Sequence, residues 1–153
     1  MKPKIFSTGR VAGVLFLCLF IATSARAAQG DLKLEAQLIW GTNDSPAKGR
    51  TNQVVQPGLE KKLKRLPLKW EHYYVVSTQS FLAPENETAR VAMSAHCNIA
   101  VKNLGNSRVE LSLTGKGKPV GKITQSLDKG QTLVTGGNAD NLTGWFIVLR
   151  QGE

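Results

Sequence analysis

The sequence predicts a mainly β fold: an antiparallel sandwich, with a small barrel as the alternative, carrying one short amphipathic helix. Three observations predict it. Apolar and polar residues alternate with period two through most of the chain after residue 30, turn formers interrupt that alternation at close spacing, and one window alone carries a helical repeat. About eight short strands with one helix in an early crossover suit a sandwich or barrel.

The first strand spans Asp31 to Trp40, with Leu32, Leu34, Ala36 and Leu38 on one face and Lys33, Glu35 and Gln37 on the other. Gly41 to Gln56 is polar and rich in glycine, asparagine and proline, so it reads as a long loop. The helix covers Pro57 to Leu66: Leu59, Leu63 and Leu66 recur at i, i+4 and i+7, Pro57 suits the first turn and Pro67 ends it. Trp70 to Ser77, the short piece Phe81-Leu82, and Ala89 to Ala95 read as successive strands. The best hairpin joins Cys97–Val101 to Val109–Leu113 through Asn103-Leu104-Gly105-Asn106, whose glycine and asparagines tolerate positive φ. Val120 to Leu127 and Leu133 to Thr135 follow, set off by Gly115-Lys116-Gly117, Lys129-Gly130 and Gly136-Gly137-Asn138. The last run, Gly144 to Arg150, is apolar on both faces and reads as a doubly covered central strand.

The N-terminus has the three parts of a secretory signal: Lys2, Lys4 and Arg10, an apolar run from Val11 to Ala22 that is short for a membrane span, and Ala25-Arg26-Ala27 as a cleavage site. Residues 1–27 are therefore expected to be removed. That leaves a single β-rich domain of residues 28–153, periplasmic or extracellular, with no membrane span. Of the 20 basic residues of the chain, 16 remain against 11 acidic, a net charge of +5. Cys97 is then the sole cysteine, so an internal disulfide is excluded, and its alternation with Ile99 and Val101 places it in the core.

Basic charge concentrates at Lys61, Lys62, Lys64, Arg65 and Lys69. On a helix whose leucines face inward, these side chains form either an ordinary solvated face or a patch for phosphate, an acidic glycan or an anionic surface. Nucleic acid is not expected, because no aromatic row for base stacking accompanies the patch. Trp70 and Tyr73, beside the patch, are candidates for stacking on a sugar ring, and Trp40, Trp70 and Trp145 also suit the core of a small sandwich.

Catalytic and metal signatures are weak. There is no Gly-x-Ser-x-Gly elbow, and Glu85 and Glu87 share one turn rather than facing each other from two strands. His96 and Cys97 are adjacent and so point to opposite faces of a strand, and Gly136-Gly137 leads into no helix that would cradle a phosphate. The sequence thus predicts no enzyme, cofactor or metal site.

Leu38-Ile39-Trp40-Gly41-Thr42-Asn43, Leu66-Pro67-Leu68-Lys69-Trp70, Val101-Lys102-Asn103-Leu104-Gly105 and Thr143 to Arg150 resemble segments of small secreted proteins of unassigned function from verrucomicrobial and planctomycete-type bacteria. The resemblance implies an exported bacterial β-rich domain and brings no activity or site residues. It also gives little weight to the three Asn-x-Ser/Thr triplets as glycosylation sites. The expected role is an envelope interaction module that meets another protein through a sheet edge, the basic helix or the Gly41 to Gln56 loop, with carbohydrate or anion binding as the alternative.

Overall fold

The computed structural model describes residues 30–44, 53–139 and 141–152; the expected signal and the middle of the Gly41 to Gln56 loop lie outside them. Among the described residues, nine strands and one helix follow in the order β1 (Leu32–Thr42), β2 (Gln53–Val54), α1 (Pro57–Lys64), β3 (His72–Ala83), β4 (Thr88–Ser94), β5 (Cys97–Asn103), β6 (Arg108–Gly115), β7 (Lys118–Ser126), β8 (Thr132–Asn138) and β9 (Gly144–Gln151). They form two antiparallel sheets, β2-β3-β1-β9-β8 and β4-β5-β6-β7. The fold is a sandwich, not a closed barrel.

The main core lies between the sheets. Leu34, Ala36 and Leu38 of β1 and Ile147 and Leu149 of β9 meet Ile99, Val101, Val109, Leu111 and Leu113 of β5 and β6. Period-two alternation sends the intervening residues to the other face, where a second apolar cluster forms from Ile39, Val55, Leu63, Trp70, Tyr73, Phe146 and Val148. Helix α1 and the segment after it cover that face. Strand β9 is thus buried on both sides, as its unbroken apolar run predicts.

Several boundaries differ from the sequence reading: β8 runs through the expected Gly136-Gly137-Asn138 loop, and the expected Gly41 to Gln56 loop contains the end of β1 and all of β2; three further differences have a plain physical reason. The helix ends at Lys64 rather than Leu66, because Leu66 precedes Pro67, which disfavours helical dihedrals there; the last turn closes through Arg65 N–H to Lys62 O and Leu66 N–H to Leu63 O. The two pieces expected at 70–77 and 81–82 are one strand, β3. Its pairing to β1 steps from Ile39–Val75 to Leu38–Ser77, leaving Val76 as a bulge that is 55% exposed. The extra residue inverts the face of everything after it: Tyr73 packs on the outer side, whereas Phe81 and Ala83 pack between the sheets. Asn103, expected in the turn, ends β5 and is fully buried. Its Nδ2 donates to Gly30 O (2.8 Å) and Ala83 O (2.9 Å), and its Oδ1 accepts from Gly105 N–H (2.9 Å).

Trp70 closes the outer cluster at one end. Its ring lies edge-on to Phe146 at 5.3 Å, and its Nε1 donates to Leu142 O (2.9 Å). Gly144 forms the floor beneath the indole, since a Cβ there would stand 2.6 to 2.8 Å from the ring carbons. Gly144→Ala and Trp70→Ala should each lower stability by about 3 kcal/mol, the first by overpacking and the second by a cavity, measured by denaturant unfolding. A loss under about 1 kcal/mol at both positions would show that Trp70 is not part of the packed core.

Candidate functional site

The seven residues singled out from the sequence separate into two groups. Trp70 and Tyr73 are 7% and 3% exposed and pack on Phe146, so they present no ring face to a ligand. The stacking role expected of them is displaced by their role in the core. Lys61, Lys62, Lys64, Arg65 and Lys69 are all exposed. They do not act as one patch. Lys64 pairs with Glu60 at 2.7 Å one turn away, Lys69 Nζ sits 5.9 Å from the Trp70 ring, and Lys62 alone leans over the sheet, its Nζ donating to Thr132 Oγ1 at 3.0 Å.

Where Lys62 reaches the sheet, strand register builds a polar row that sequence spacing does not show. Arg150 of β9 lies opposite Glu35 of β1 on one side and opposite Thr132 of β8 on the other. Glu35 Oε1 accepts from Arg150 Nε (3.1 Å), Arg150 Nη2 (2.8 Å) and Gln37 Nε2 (3.0 Å), which fixes both side chains on the outer face. A groove of about 220 Å³ runs between this row and the first turn of α1, lined by Gln37, Gln56, Lys62, Thr132 and Arg150 with Leu59 and Val148 beneath. It continues into a space of about 670 Å³ past Lys129 and Gln131.

The arrangement is suited to binding an oxyanion. Among the described residues, Lys62, Lys129 and Arg150 supply three cations against one carboxylate, Glu35, which is paired with Arg150. Amide and hydroxyl groups of Gln37, Gln56, Gln131 and Thr132 surround them. Lys62 was visible in the sequence as part of the basic helix, but Arg150 and Lys129 were not. They lie 88 and 67 positions further along the chain, and only antiparallel pairing brings them to the helix.

Two buried groups lie elsewhere. Cys97 is buried in the main core, as its alternation predicts, and burial raises its thiol above the ordinary value of 9.0. Tyr73 OH is buried without a hydrogen-bond partner among the described residues, and burial raises the phenol above 10.0. Both raised values mean that the fold holds the protonated form more tightly than the unfolded chain does. The resulting stability is complete below about pH 8 and declines as pH rises toward and through the folded-state values. Unfolding free energy should therefore fall between pH 8 and 11, less steeply in Tyr73→Phe and Cys97→Ala. At pH 7, Tyr73→Phe should be unchanged or more stable by about 1 kcal/mol, since it removes a buried unpaired hydroxyl. A loss above about 1 kcal/mol there would reveal a partner for that hydroxyl.

A scan against protein-family models, a search of curated proteins and a search of solved structures each found no match to this chain.

Proposed function

We propose that this protein is a non-catalytic binding module acting outside the cytoplasm, and that its ligand is an acidic carbohydrate held in the groove between α1 and the Glu35-Arg150-Thr132 row. The observation that carries the reading is the meeting of Lys62 and Arg150 across a cavity rimmed by amide and hydroxyl side chains. The cations match carboxylate or sulfate groups, and the uncharged donors and acceptors match sugar hydroxyls. The extracytoplasmic setting rests on the signal-like N-terminus.

Heparin serves as the probe. The protein should be retained on immobilised heparin at moderate salt, and Lys62→Glu and Arg150→Gln should each weaken binding by about tenfold, the loss of one charge-assisted hydrogen bond. Lys61→Glu and Lys64→Glu, on the same helix, should change it far less. Equal losses from all four variants would assign the attraction to diffuse helix charge, and absence of retention in the wild type would overturn the proposal.

A protein-partner reading is favoured by one edge. Strand β7 carries Lys118, Pro119 and Lys122, residues that block edge pairing, whereas β8 has neither proline nor charge over Thr132–Asn138. An envelope protein adding a strand there should be recovered in stoichiometric amount by the wild type and lost with Gly137→Pro. Recovery unaffected by that substitution would rule β8 out as the contact.

A further inference from the structure

The four-stranded sheet has an outer face that no described element covers. Val101, Val109 and Leu111 point into the core, so period-two alternation turns Arg90, Lys102, Arg108 and Lys122 to the opposite side, where all four are exposed. The five-stranded sheet closes its own outer face with Leu63 and Trp70. Here the residues between the cations are small or polar, among them Ala92, Ala100, Ser112 and Thr124, and give a covering helix little to pack on.

Strand register arranges the cations in a line. Arg90 stands opposite Ala100, which makes Lys102 its diagonal neighbour; Lys102 stands opposite Glu110, which makes Arg108 the next. Diagonal neighbours lie about 7–8 Å apart, so the three form a stripe of roughly 15 Å across β4, β5 and β6. Lys122 flanks the stripe on β7, and its Nζ meets Glu110 Oε1 at 3.0 Å. Glu110 is the sole carboxylate of the four strands. Glu87 and Asp128 lie in the turns beyond the strand ends, and the side chains of Arg90, Lys102 and Arg108 form no ion pair among the described residues.

We infer that this face docks on an anionic lipid bilayer, independently of the groove on the opposite side of the sandwich. Unpaired arginine and lysine side chains on long stems reach a charged headgroup layer, and each gains from its negative surface potential. A protein partner would need aromatic or large apolar anchors at the centre of the contact. The apolar residues that point outward here are Ala92, Ala100 and Pro119, and no aromatic ring accompanies them. A lipid surface asks for charge alone, and with nothing to insert, the association is peripheral and reversible. In this orientation the sandwich holds the groove beside α1 away from the lipid.

Cosedimentation with vesicles tests it. At low salt the protein should sediment with vesicles of equal parts phosphatidylglycerol and phosphatidylcholine, should ignore pure phosphatidylcholine, and should be released at high salt. Arg90→Gln, Lys102→Gln and Arg108→Gln should each weaken binding by about fivefold, the contribution of one basic residue near an anionic leaflet. Glu110→Gln, which removes the opposing charge, should strengthen it by about fivefold. Lys61→Gln and Lys62→Gln, on the far side of the sandwich, should leave it unchanged. Absence of binding by the wild type, equal binding to neutral vesicles, losses at Lys61 and Lys62 matching those at the stripe, or no gain in Glu110→Gln would each overturn the inference. Heparin retention abolished by the three stripe substitutions together would overturn it too, and would give the face to a soluble polyanion.

Discussion

The structure depends on one constraint: strand β9 is apolar on both faces from Phe146 to Leu149, as is β1 at Leu38 and Ile39, and neither face can be left to water. Ile147 and Leu149 are satisfied by the four-stranded sheet, Phe146 and Val148 by the helix layer. A sandwich of two sheets alone would expose the second set. The helix is short, with Leu63 its sole fully buried residue, and is too short to persist alone in water. Its stability comes from covering Ile39, Phe146 and Val148, and the strand pair is buried only because the helix is there.

That mutual dependence explains where glycine and tryptophan fall. Gly41 and Gly144 are paired across β1 and β9, and the indole of Trp70 lies over both. In a strand a glycine forfeits side-chain packing, but here it makes room for a ring that fills more space than two methyl groups. At Gly136 a side chain would run into the backbone of Trp145 and Phe146, so β8 can approach β9 closely only with glycine at that position. Asn103 does a comparable job at the opposite end. One buried amide ties the chain near Gly30, the end of β3 and the β5–β6 turn, and a full set of partners makes its burial tolerable.

The same helix that seals the outer cluster also creates the groove. Its leucine side packs down, so its lysines are pushed to the margins, and one of them, Lys62, falls over the polar end of the β1-β9-β8 face. Apolar residues of β1 and β9 give way there to Glu35 and Arg150, outside the area the helix covers. The site is therefore a by-product of incomplete coverage: packing stops, and the uncovered rows are polar.

Sequence periodicity by itself determined the mainly β class, most of the strands, the helix and the inward placement of Cys97, because alternation and leucine spacing are local signals fixed by backbone geometry, and it left the choice between sandwich and barrel to the sheet pairing. It failed at β3, where the Val76 bulge shifts the phase and makes one strand look like two. It also offered Trp70 both to the core and to a sugar site, and Tyr73 to the sugar site, a choice that composition cannot make. Which lysine reaches the sheet was decided by tertiary structure alone: Lys61, Lys62 and Lys64 are equivalent in sequence, and Lys62 bonds Thr132 and lines the same groove as Arg150. The physical reason is register. Antiparallel pairing sets Glu35, Arg150 and Thr132 in one row from positions 115 and 18 residues apart, and no local pattern in the chain encodes which residue will stand opposite which.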